Sequence, residues 1–330
     1  MNKEDFEKII SNHELTVTEK SDRVMELLRK DSILLPKSYV ESFCNEDKKV
    51  TIDPEKIVKD PLKISESYII YGYSFGPFDP EFYFSSDNKF RFVWLLKEPF
   101  SESLEDIKNM ISDKEGHDQA KEYALWKIIK KKKNSITRVI HLTLMLLRGL
   151  EPENKLWDEE SYETFQEVMK HICILEVNHF PGLFFGENSN SNDNLIKSYA
   201  EENKEVIEKL VKFYLPGDSE ITNVLIGGNT LKYFFNKDYD ENHYPDNIVK
   251  GILQQKVTFF KNLLTGFEVT KLPGKISNEI YIDDKGNFLI DAYHPAPNKK
   301  NKSYEFTNEM AKFDGERIRL IKSYKGTLNN

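Results

Sequence analysis

Four short stretches of this chain carry side chains suited to chemistry, and each stands directly after an apolar run. Lys97-Glu98-Pro99-Phe100 offers a carboxylate, Asn178-His179-Phe180-Pro181-Gly182 an amide, Gly227-Gly228-Asn229 a glycine turn, and His294-Pro295-Ala296-Pro297 an imidazole. Carboxylates and imidazoles move protons or stabilise developing charge. A primary amide presents a donor and an acceptor side by side, which suits recognition of a flat polar edge. Glycines allow close backbone approach or positive φ. The prolines of the last stretch hold φ near −65° and bias the residues before them toward extended backbone, so the chain leaves as a stiff loop with His294 at its root. Taken singly, each stretch also has an ordinary reading: Glu-Pro after a strand is a surface turn, a lone asparagine is a turn residue, and a glycine pair is a strand-to-helix turn. Their common placement is what makes them a candidate site.

The elements that must position them are legible as hydrophobic pattern. The apolar runs 91–96, 171–177, 223–226 and 288–293 read as β-strands. About 75, 45 and 60 residues separate them, each enough for the crossover of a dozen or more that parallel strands require. The intervening sequence reads as helix. Leu195, Ile196, Tyr199, Val206, Ile207, Leu210 and Val211 form one apolar stripe, and Ile248, Ile252, Val257, Phe260 and Leu264 a rougher one. Asp283-Asp284-Lys285-Gly286-Asn287 between apolar runs predicts a hairpin into the last strand, hence an antiparallel addition. The expected fold is a three-layer α/β/α sandwich on a short, mainly parallel central sheet. Residues 1–85, with charged helical pattern followed by a stretch rich in Tyr, Phe, Gly and Pro, read as an N-terminal extension packed on a core domain at 86–330. In an open parallel sheet ligands bind beyond the carboxyl ends of the strands, which is where all four stretches fall.

Composition narrows the function classes. A chain of 330 residues with 39% hydrophobic residues can bury a substantial core. Cys44 and Cys173 lie far apart without CxxC spacing, against a disulfide framework, a zinc knot or a four-cysteine iron–sulfur cluster, so neither metal nor cofactor is expected. The start of the chain lacks the apolar stretch of a signal peptide and no run is long enough to cross a bilayer, which predicts a cytoplasmic protein with no membrane partner. The net charge of −8 argues against wholesale attraction to nucleic acid, yet salt screens exposed charges beyond about 8 Å, so local basic groups decide. Lys299, Lys300 and Lys302 follow the proline loop directly, whereas a second cluster, Lys127 with Lys130 to Lys133, reads first as a solvated helix end. His117, His141, His171, His179 and His243 show no ligand spacing and read as structural or exposed.

The order and placement of the four stretches resembles the uracil-DNA glycosylase superfamily over residues from about 90 to 305. Leu96-Lys97-Glu98-Pro99 falls where that family has glycine, a variable residue, Asp or Asn, and proline; Asn178 matches the base-reading asparagine; His294 matches the histidine of the last motif, with Ala296 replacing its serine. Leu96, the longer Glu98, Phe100 in place of a tyrosine and Asn298 in place of a wedge leucine depart from the uracil-specific branch. The resemblance implies a monomeric hydrolase that cleaves N-glycosidic bonds in DNA to leave an abasic site, with an extruded base in its pocket. The base would be uracil or another modified pyrimidine, including a modified base of phage DNA, in repair or antiviral defence. In it Glu98 would orient a water and stabilise the sugar cation, and His294 would donate a hydrogen bond to the departing base. Asn178 would read the base edge, Phe100 would stack on it, and Lys299, Lys300 and Lys302 would hold phosphates. The alternative is a nucleic-acid or nucleotide-binding protein that keeps the fold without hydrolysis. An unrelated nucleotide-dependent enzyme is disfavoured, because the chain has neither a Walker loop nor a complete GxGxxG.

Overall fold

A computed structural model describes residues 3–44, 53–72, 75–97, 100–101, 162–180, 182–183, 193–216, 221–228, 269–271, 280–283 and 287–292, together with isolated positions between 139 and 147 and at 230 and 233. In chain order these form α1 (Lys3–Ser11), α2 (Val17–Lys30), β1 (Ser32–Pro36), α3 (Lys37–Cys44), β2 (Ser67–Tyr71), β3 (Gly76–Pro77), α4 (Pro80–Phe84) and β4 (Phe90–Leu96). There follow β5 (Phe100–Ser101), α5 (Tyr162–Met169), β6 (Ile172–Glu176), β7 (Gly182–Leu183), α6 (Asp193–Tyr214), β8 (Thr222–Gly228), β9 (Val269–Lys271), β10 (Ile280–Asp283) and β11 (Phe288–Ala292). No helix among the described residues is long and apolar enough to cross a membrane.

The protein is α/β, with helices and a mixed, mostly parallel sheet in the order β3-β6-β4-β8-β11-β10-β9. The four apolar runs thus become the consecutive neighbours β6, β4, β8 and β11. β8 pairs parallel with β4, from Phe90 opposite Thr222 to Leu95 opposite Gly227, and with β11, from Phe288 opposite Val224 to Ala292 opposite Gly228. β6 runs parallel to β4 as well: the Phe92 amide donates to the His171 carbonyl at the start and the Val177 amide to the Leu96 carbonyl at the end. The expected hairpin is present, with β10 antiparallel to β11 and β9 antiparallel to β10.

These strands are mostly apolar, with successive residues buried on both faces, as parallel sheets require. From Arg91 to Leu96 every residue of β4 is buried, and so is every residue of β6. Full burial of each large side chain contributes roughly 1.5–3 kcal/mol, so Phe92, Val93, Trp94 and Leu95 are a major part of the fold's stability. Polar groups carried inside find partners. Trp94 Nε1–H donates to Thr143 Oγ1 at 3.1 Å, and that hydroxyl donates to the Val139 carbonyl at 2.8 Å. Buried Arg91 donates from Nε to the Tyr83 carbonyl (2.9 Å) and from Nη2 to the Phe84 carbonyl (3.2 Å), placing its cation at the C-terminal carbonyls of α4 and near the Tyr83 and Phe84 rings.

The chain divides into two compact units. One comprises Met1–Gly76, Leu96–Glu122 and Ile174–Ile207; the other comprises Pro77–Leu95, Tyr123–Cys173 and Glu208–Asn330. In the first, α2 begins with a capping box, Thr16 accepting from the Glu19 amide while Glu19 accepts from the Thr16 amide, and buries Ser21, Val24, Met25 and Leu28 along one stripe. β1 and β2 form an antiparallel ribbon, Ser32 opposite Tyr71 and Pro36 opposite Ser67. Leu35, Val40, Ile70 and Phe180 make a core beside it, against which Leu195 and Tyr199 of α6 pack.

Candidate functional site where β4 and β6 release their chains

Beyond the sheet the two chains stay together. The Asn178 amide donates to the Lys97 carbonyl at 2.9 Å, one step past the Val177–Leu96 bond. Further on, β5 and β7 pair in parallel, Phe100 opposite Gly182 and Ser101 opposite Leu183. The segments that follow β4 and β6 are therefore joined at both ends, and the sequence sets Glu98 in one and Asn178 in the other. Glu98 itself lies outside the described residues, as do His294, Lys299, Lys300, Lys302 and the cluster from Lys127 to Lys133. Phe100 is described in its backbone, as the first residue of β5.

Asn178 is the predicted site residue whose side chain is seen. It is 1% exposed, and its Oδ1 accepts the Phe180 amide at 3.3 Å, closing a local turn. The amide that was expected to read a base edge is thus also part of the architecture of its own loop, and in this conformation it is covered.

The next residue is built in more firmly still. His179 is 3% exposed, and its Nε2 lies 3.1 Å from Asp31 Oδ2. Its Nδ1 meets the Tyr199 hydroxyl in a short hydrogen bond. The ring stacks on Phe180, with centroids 4.6 Å apart. Burial pushes the imidazole below its ordinary range and the Asp31 hydrogen bond offsets this only in part, so the ring is neutral at neutral pH. Burial would raise the Asp31 carboxyl, but hydrogen bonding, led by His179, outweighs it and holds the group at about 2. The pair is therefore a carboxylate accepting from a neutral imidazole. That assigns Nε2–H to Asp31 and leaves Nδ1 to accept from Tyr199. Asp31 also caps the C-terminal end of α2, where a negative charge is unfavourable; the His179 N–H answers it.

Space around the ring is closed by Gly72. Its amide donates to the Asp31 carbonyl at 2.7 Å, and a Cβ there would overlap the His179 ring and stand 2.5 Å from the Leu28 carbonyl oxygen. Three stretches of the first unit, 28–31, 72 and 199, thus converge on one histidine. Sequence reasoning had set His179 among the residues without a ligand pattern. Its main partner lies 148 positions away and Tyr199 lies 20 away, so no local spacing announces the group. The one available signal was its place next to Asn178.

In the second unit, Gly227 and Gly228, expected as a turn past the third strand, are instead the last two residues of β8, because pairing with β11 carries the strand on through them; Gly227 stands opposite both Leu95 and Asp291. Thr230 Oγ1 donates to the Leu95 carbonyl at 2.7 Å, at the end of β4. His171 is structural, its Nδ1 donating to Asn88 Oδ1 at 2.7 Å at the entry to the strands.

No model of a known protein family, no curated protein and no solved structure matches this chain.

Proposed function

We propose that this protein is a DNA glycosylase of uracil-DNA glycosylase-like, three-layer α/β/α architecture that hydrolyses the N-glycosidic bond of an altered pyrimidine. The observation that carries the reading is topological: the four motif-bearing runs are consecutive strands β6, β4, β8 and β11, all parallel, so in sequence three motifs follow a carboxyl end and the glycine pair forms the last two residues of its strand. In the reaction the C1′–N bond breaks with its electron pair moving to the base, water adds to C1′ as the hydroxyl, and the proton it loses neutralises the departing base anion. Glu98 orients that water and stabilises the cationic sugar, while His294 donates to the base oxygen as charge gathers there. Asn178 reads the base edge, Phe100 stacks on it, and Lys299, Lys300 and Lys302 hold flanking phosphates.

The second reading, binding without hydrolysis, is favoured by one observation: Asn178 is covered and its Oδ1 is engaged by the Phe180 amide. Base release separates the two. Duplexes carrying uracil, hydroxymethylated cytosine or glucosylated cytosine are incubated with the protein and alkali-labile abasic sites are scored. The glycosylase reading expects abasic sites from at least one duplex, and a loss of roughly 10² or more in single-turnover rate for Glu98→Gln and for His294→Ala, the scale of a positioned acid–base or electrostatic group. Binding without any base release would favour the second reading.

A further inference from the structure

The best-built polar group among the described residues is not one of the four motifs but the assembly around His179. Every feature of it points toward the segment 178–180. The Asn178 amide is held by the Lys97 carbonyl and its Oδ1 by the Phe180 amide. The His179 ring is held by Asp31 on one side and Tyr199 on the other, and it lies on Phe180, itself embedded among Leu35, Val40 and Ile70. The Tyr199 hydroxyl is aimed at His179, so this phenol serves the ring.

We propose that His179 is a positioning residue: clamped by Asp31 and Tyr199, it fixes the loop that presents Asn178, and Leu28, Asp31 and Gly72 serve the site by supplying the backing for that clamp. A neutral imidazole suits this task. With one N–H and one lone pair, it can accept from a phenol and donate to a carboxylate at once, so its orientation is fixed by two partners of opposite demand. Apolar packing alone would hold the ring in place without fixing its rotation. The loop-fixing part of the proposal stands independently; the part that makes Asn178 the beneficiary rests on the glycosylase reading.

The test uses the whole chain with Tyr199→Phe and Asp31→Ala, which remove the hydroxyl and the carboxylate that grip the ring, one hydrogen bond each. Amide hydrogen exchange of the peptide covering 174–183 is compared with that of peptides from β4 and α2. The expected result is exchange about tenfold faster at 178–180 in both variants, the scale of one lost buried hydrogen bond expressed as local opening, with β4 unchanged. Unchanged exchange at 178–180 in both would overturn the clamp, and so would a uniform rise throughout the chain, which marks a merely structural residue. The same variants are then assayed on the three modified duplexes. The expected effect is loss of discrimination between bases with the rate on the preferred base reduced less; discrimination equal to the parent's would overturn the link to Asn178. If the parent protein releases no base from any duplex, the glycosylase reading and that link fall together, while the exchange result still decides the clamp.

Discussion

At the scale of single residues, the Asp31–His179 pair makes stability depend on pH in a definite direction. Both groups titrate below their ordinary values in the folded protein. For His179 the unfolded chain binds the proton more readily, so stability is lost as pH falls below its ordinary value of 6.5 toward the lower folded value. For Asp31 the stabilisation is present above its ordinary 3.8 and is lost as pH falls toward about 2. His171, also lowered by burial, adds in the same sense as His179. The thermal midpoint is therefore expected to drop between pH 7 and pH 5, and to drop less in His179→Gln; a midpoint independent of pH over that interval would contradict the burial of an uncharged ring. Gly72 gives a second expectation. Gly72→Ala forces a methyl against the His179 ring and the Leu28 carbonyl, and overpacking of this kind costs roughly 1–3 kcal/mol, measurable as a lower denaturant midpoint with an unchanged slope.

Elements were legible in the sequence to the extent that burial wrote a pattern on them. β4, β6, β8 and β11 are rich in apolar residues because successive side chains in them are buried, and α6 shows its stripe because one face of it is. The pairs β1–β2 and β5–β7 were not foreseen. β5 and β7 are two residues each and exist by virtue of their partner, since no periodicity can develop over such lengths. β1 is five residues between charged helices, and β2 opens the stretch rich in Tyr, Phe, Gly and Pro, where its short apolar run does not stand out as a strand. Asn178 was legible from its place after a strand, whereas the buried turn that engages its Oδ1 was not, and neither was the long-range contact of His179. Arg91 shows the same limit: inside an apolar run it reads as an exception, and only the structure shows the α4 carbonyls it serves. Arg91→Met should remove the Arg91 donors, leaving the Tyr83 carbonyl only its bond from Asn88 Nδ2, and destabilise the chain by about 1–3 kcal/mol, read from chemical denaturation.

For the whole molecule, net charge and local charge pull in opposite directions. A chain of net charge −8 that binds DNA must do so through a restricted set of cations, and Lys299, Lys300 and Lys302 directly follow the His294 loop. Each phosphate contact contributes about 0.9 to the slope of log affinity against log salt on duplex DNA. Replacing the three lysines with alanine is therefore expected to flatten that slope and to weaken binding across sequences while base preference persists. Equal slopes for parent and variant in a salt titration on one oligonucleotide would move the contact elsewhere, with Lys127 to Lys133 the next place to look.

The miniature ladder of Phe100 and Ser101 with Gly182 and Leu183 has an evolutionary consequence. Between the Lys97–Asn178 bond and that ladder, one chain has room for Glu98 and Pro99 and the other for His179, Phe180 and Pro181. Both ends of each stretch are tied to the same neighbour, so a residue added to or removed from either would shift one strand of the ladder against the other. Substitutions here are tolerated or rejected on chemistry, whereas a change in length alters how Phe100 and Ser101 meet Gly182 and Leu183. Related chains should therefore vary in the letters of these two stretches while keeping their number, and insertions should collect after Ser101 and Leu183, where the tie ends.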